Sequence, residues 1–134
     1  MDKYKRVILF LFVGGSAALV NWLARIALSN WMQYELAVFL AYIIGMIVGY
    51  IGYRFLVYKA SSHSVGAEIL RFIAVNAISG VFVIFFASLL MRVILPYFGL
   101  SLYVEELGHA IAIALGAVIN YHAHARITFA NKNS

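Results

Sequence analysis

The sequence predicts an all-α integral membrane protein of four transmembrane helices, built from two parallel two-helix repeats. Three observations carry this expectation. The first is composition: 65% of the 134 residues are hydrophobic and 11% are charged, whereas a soluble domain is about half apolar and about a quarter charged. A chain this short cannot bury that excess in one core, because small domains keep much of their surface outside. The surplus must face lipid, and the mean hydropathy of +0.94 agrees. The second observation is the length of the apolar runs, and the third is the one-sided placement of Lys and Arg. Disorder is excluded by the same composition, since disordered chains are poor in aromatics and rich in charge.

About 20 mostly apolar residues cross a hydrocarbon core, and four stretches qualify: 7–29, 36–58, 69–95 and 107–129. They lack the strict alternation of a membrane β-barrel, which leaves a helical bundle. The first stretch follows Lys3, Lys5 and Arg6 and resembles a secretory signal in outline. Its apolar run exceeds the usual 7–15 residues and no small-x-small cleavage site follows, so a retained helix is expected. The second stretch begins after the polar break 30–35, the third after 59–68 and the fourth after 96–106. Almost nothing is left over for a soluble domain.

Lys3, Lys5 and Arg6 precede the first span; Arg54, Lys59 and Arg71 flank the middle connection; Arg126 and Lys132 lie at the C-terminal end. The other two connections hold no Lys or Arg but carry Glu35, Glu105 and Glu106. Positive-inside bias therefore places both termini and the middle connection in the cytoplasm. The net charge of +5 is then a topology signal that also favours anionic membrane lipid. It is not a nucleic-acid footprint, and no nucleic-acid partner is expected.

The two helix pairs match one another. Phe10-Leu11-Phe12-Val13-Gly14 opens the first and Phe72-Ile73-Ala74-Val75-Asn76 the second. Ala37, Ala41, Gly45 and Gly49 form a row at every fourth position, mirrored by Gly108, Ala112, Gly116 and Asn120. Each row leads into a similar ending, Tyr50…Arg54…Tyr58 and Tyr121…Arg126…Phe129. Two spans per unit insert both copies the same way up. Small residues one turn apart let another backbone approach closely, which serves packing inside the bundle, a path, or a homodimer interface. Gly52, beyond Gly49, permits a local bend near the cytoplasmic end.

In these residues the chain resembles the GtrA-like family of small four-helix membrane proteins, over nearly its whole length as a single domain, 1–134. The family pattern opens each half with Arg-Phe-x-x-Val-Gly and closes it with Asn-Phe-x-x-x-Arg…Phe. Here the openings are Leu9-Phe10-Leu11-Phe12-Val13-Gly14 and Arg71-Phe72-Ile73-Ala74-Val75-Asn76, and the closings are Gly49-Tyr50…Arg54…Tyr58 and Asn120-Tyr121…Phe129. Leu9 stands for the first Arg, Gly49 for the first Asn, and Arg126 falls one residue after its counterpart position, Ala125. The resemblance implies translocation of a polyprenyl-phosphate-linked sugar across the cytoplasmic (inner) membrane, for surface polysaccharide synthesis or glycosylation. An accessory subunit that positions a membrane glycosyltransferase is the alternative.

Such a substrate has an anionic, hydrated head that needs a polar route, and Arg recognises phosphate through a rigid set of donors. The expected substrate-binding residues are Arg25, Arg54, Arg92, Arg126, Asn21, Asn76 and Asn120, with Ser79 and His122 nearby in sequence. Asn21 and Arg25 lie one turn apart and share a face. Each has a plainer role: Arg25 and Arg92 snorkelling to Glu35, Glu105 or Glu106, Arg54 and Arg126 anchoring topology, the asparagines bonding between helices. Trp31, Tyr34, Tyr58, Tyr97 and Tyr103 stand where an interfacial aromatic belt belongs.

Catalysis finds no support: the chain has no cysteine, no serine elbow and no phosphate loop. No cofactor is implied. His122 and His124 fall on different helix faces, so no metal site is expected from them. A small multidrug-type exporter shares the size, but cation–proton exchange needs a carboxylate within the membrane, and the reading places none in the first or third span.

Overall fold

The computed structural model describes residues 1–59 and 61–131, apart from the side chains of Glu35, Glu105 and Glu106. The described chain is helical, and it is a multi-pass membrane protein by its helix composition. Three helical stretches are long and apolar enough to cross a bilayer: Lys3–Leu28, Leu36–Val57 and Val65–Tyr97. The fourth predicted stretch is also helical, over Val104–Ala123 and on to Thr128. The chain divides into two compact units, one within residues 1–64 and the other over 65–130.

In the first unit, α1 (Lys3–Leu28) packs against α2 (Tyr34–Gly52), which runs on as a π-helical turn, Tyr53–Val57. The turn 29–33 reverses the chain, with the Ser29 hydroxyl donating to the Arg25 carbonyl at 2.7 Å. The buried face of α1 is narrow, Phe10 and Val13, because a two-helix unit has only one seam to cover. Ala37 and Ala41 are fully buried in that seam. A Cβ on Gly45 would lie 2.9 Å from Asn21 Cβ, and one on Gly52 would lie 2.5 Å from Val13 Cγ1. The row thus faces α1. At the end near the N-terminus Phe10 stacks on Tyr53, centroids 4.9 Å apart.

In the second unit, α3 (Val65–Leu89) continues through a π-helical turn, Leu90–Ile94, into the short α4 (Leu95–Tyr97). Gly99 then takes the left-handed conformation at φ +78°. Its N–H donates to the Pro96 carbonyl at 2.9 Å and that of Leu100 to Leu95 at 3.1 Å, a Schellman ending that satisfies the last carbonyls. The return helix is α5 (Val104–Ala123), which closes in a third π-helical turn, His124–Thr128. Gly108 lies against Met91 and Ala87, and Gly116 against Val83, where a Cβ would meet Cγ2 at 2.5 Å. Phe72 stacks on His124, centroids 4.9 Å apart.

Both small-residue rows serve packing inside their own helix pairs, one of the uses expected of them. One expectation changes. The third helix begins at Val65, not in the expected region of 69, which brings Glu68 into its first turn. Glu68 is fully buried. The reading that the third span holds no carboxylate is therefore corrected: Glu68, Phe72, Val75 and Ser79 form one buried face at helical spacing. An acidic first turn is favoured by the partial positive charge of the helix start.

Candidate functional site

Three of the four candidate arginines lie in the π-helical turns: Arg54 in Tyr53–Val57, Arg92 in Leu90–Ile94 and Arg126 in His124–Thr128. A π turn widens the helix by one residue and turns the following side chains to a new angle, a feature that recurs at functional positions. Arg54 is half-buried and its Nη1 donates to the Tyr50 hydroxyl at 2.9 Å, one turn back. Arg92 and Arg126 are exposed. The sequence carries no mark of these turns beyond Gly52, just before the first.

Two of the three asparagines are engaged with protein. Asn76 Nδ2 donates to the Phe72 carbonyl at 2.9 Å in its own helix. Asn120 Oδ1 accepts from the Ser79 hydroxyl at 2.7 Å, a part-buried bond that joins α5 to α3. At the end of the same helix pair, Arg71 Nη1 donates to the Ile127 carbonyl at 3.1 Å, placing a cation where the last carbonyls of a helix are exposed. His124 is fully buried, with Nδ1 2.9 Å from the Thr128 hydroxyl. His122 is exposed on another face.

Asn21 and Arg25 differ from these. Both are half-buried on α1, and both line an open groove of about 300 Å³ with Ala18, Trp22, Tyr34 and Val38. The Arg25 guanidinium carbon lies 5.8 Å from the centre of the Tyr34 ring. The groove lies between the turn 29–33 and the close contact of Gly45 with Asn21 and Ala17. Among the described residues, neither side chain has a hydrogen-bond acceptor or ion-pair partner. The expected pairing of Arg25 or Arg92 with Glu35, Glu105 or Glu106 concerns side chains outside the described part. The arrangement presents a guanidinium and a carboxamide beside two aromatic rings, a surface suited to an anion carrying an apolar or sugar-like face.

Tyr34, expected in the aromatic belt, and Trp22, which no sequence motif marks, both line the groove. Trp22 follows Asn21 directly but borders the same groove as Tyr34 only once α2 has folded back on α1, so its placement depends on the partner helix. The signal for Glu68 was present in its spacing from Phe72.

The fold and these sites define a small multi-pass helical membrane protein with arginines near its helix ends. Residues 9–129 match the GtrA/DPMS transmembrane domain family, and the chain belongs to it. It is a family linked to polyprenyl-sugar translocation and is in general non-catalytic. No curated protein and no solved structure matches the chain.

Proposed function

We propose that the chain moves a polyprenyl-phosphate-linked sugar across the cytoplasmic membrane for surface polysaccharide synthesis or glycosylation, as one domain of two parallel helix-pair repeats. Family membership supplies the substrate class. The observation that carries the reading to this chain's own residues is the groove, where Asn21 and Arg25 have no hydrogen-bond or ion-pair partner among the described residues. Like-for-like packing supports the repeat: Phe10 on Tyr53 and Phe72 on His124 at the same separation, Gly45 against α1 and Gly116 against α3.

The lipid tail stays in hydrocarbon while the head follows cationic groups. Arg54 and Arg126 serve the cytoplasmic mouth, and Arg25 and Arg92 the external one. Each must attract the head enough to strip part of its water and still release it. Asn76 and Asn120 line the intermediate depth, where their protein hydrogen bonds exchange with the passing head.

Reconstitution into vesicles with a radiolabelled polyprenyl-phosphate sugar tests this. Protein-dependent appearance of the sugar in the opposite leaflet is the expected result. Carrier movement no faster than in protein-free vesicles, together with recovered activity on adding a membrane glycosyltransferase, would favour the accessory role.

A further inference from the structure

We propose that the α1–α2 groove is a holding site for one phosphodiester head per chain, with Arg25 and Asn21 on the phosphate and the rings of Trp22 and Tyr34 against the sugar. This rests on the lipid-linked sugar reading above and assigns to it a place and two further residues.

The donors come first. Arg carries five N–H groups in a fixed plane. Tyr34 meets the guanidinium carbon at 5.8 Å, within the range of a cation–π contact, which holds a guanidinium without consuming its N–H groups. Asn21, one turn away on the same face, adds an amide donor. Half-burial strengthens both interactions relative to open water without the full cost of a buried ion.

The walls follow. Trp22 and Tyr34 are more than half exposed although they border the groove, so aromatic surface is available to a ligand. Aromatic rings with a polar edge suit an amphipathic partner at a membrane boundary. The volume of about 300 Å³ corresponds to about ten water molecules at ~30 Å³ each. It lies at the small end of ligand pockets, enough for a sugar ring and its phosphate with the tail projecting into lipid.

Among the described residues, the second unit has no side-chain donors at the corresponding places on α3, where Val83 and Ala87 stand. They close against Gly116 and Gly108, a contact that is apolar and tightly packed. The holding site is therefore one per chain, not one per helix pair.

The test uses the full chain in detergent. The protein has two tryptophans, so Trp31→Phe leaves Trp22 as the single reporter. Its fluorescence is titrated with a geranyl-phosphate hexose, geranyl phosphate, phosphatidylglycerol and inorganic phosphate. A saturable change at one equivalent of the glycosylated ester is expected, with Kd at least tenfold lower than for phosphatidylglycerol. Arg25→Gln should weaken binding of both geranyl esters at least tenfold, and Arg25→Lys less. Tyr34→Leu should weaken the glycosylated ester several-fold more than geranyl phosphate. Retained helical content by circular dichroism and a single gel-filtration peak identify folded variants.

An unchanged Kd in folded Arg25→Gln and Arg25→Lys proteins would overturn the site. So would equal affinity for phosphatidylglycerol, which marks a general lipid-headgroup contact, or for inorganic phosphate, which marks a free-anion site. The vesicle assay separates this failure from the larger one: transport that persists without groove binding leaves translocation standing and removes only the holding site.

Discussion

At the residue scale, the contrast between Asn21 and Asn120 decides what each can do. Asn120 accepts from Ser79 at 2.7 Å, and a hydrogen bond between membrane helices contributes about 0.6 kcal/mol on average, reaching about 2 kcal/mol. Ser79→Ala should therefore destabilise the second unit by roughly that amount, read as a shift in a denaturant or steric-trapping unfolding curve. A loss above about 4 kcal/mol would mean that Ser79 supports more than this one bond. Asn21, by contrast, has no such bond among the described residues, so Asn21→Ala should leave stability nearly unchanged and act on ligand capture, measured by the Trp22 titration. The identities of these polar residues were legible in the sequence, since intramembrane amides stand out against apolar neighbours. Their division into bonded and available groups was not, because it depends on what the facing helix presents.

At the element scale, spans were legible because hydrocarbon thickness sets a length that apolar runs report directly. The ends were less so. The run 59–68 reads as a polar connection, yet α3 starts at Val65, because spacing to Phe72 and Val75 outweighs one carboxylate. The glycines give a sharper test of how each pair holds together. A Cβ on Gly116 would meet Val83 Cγ2 at 2.5 Å and one on Gly52 would meet Val13 Cγ1 at 2.5 Å, while those on Gly15 and Gly80 would meet nothing within 4 Å. Gly116→Ala and Gly52→Ala should each cost about 1–3 kcal/mol from overpacking. Gly15→Ala and Gly80→Ala should be neutral or stabilising by up to about 1 kcal/mol, since Ala favours helix over Gly. Thermal unfolding of the four variants in one detergent checks the contrast. Equal losses in all four would show that crowding within the pairs does not set the pattern.

For the whole molecule, the remaining question is which end of each pair faces the cytoplasm, and we propose the orientation that the charges favour. Lys3, Lys5, Arg6, Arg54, Lys59, Arg71, Arg126 and Lys132 all belong to the end that holds the termini and the middle connection, while the connections 30–35 and 96–106 have no cation. Retaining Lys and Arg on the cytoplasmic side is the rule for short loops beside spans, and here no short loop opposes it. Ser62 and Ser101 are both exposed, so a thiol at either position meets whatever solvent bathes its side, and the chain has no cysteine of its own to confuse the result. With an impermeant maleimide on intact cells, Ser101→Cys should label and Ser62→Cys should label only after permeabilisation. The outcome also fixes the groove. In the expected orientation, Asn21 and Arg25 sit toward the external leaflet and hold a head that has already crossed. Labelling of Ser62→Cys from outside, with Ser101→Cys protected, would reverse the assignment. The groove would then receive the head from the cytoplasm, and Arg54 and Arg126 would become the releasing groups.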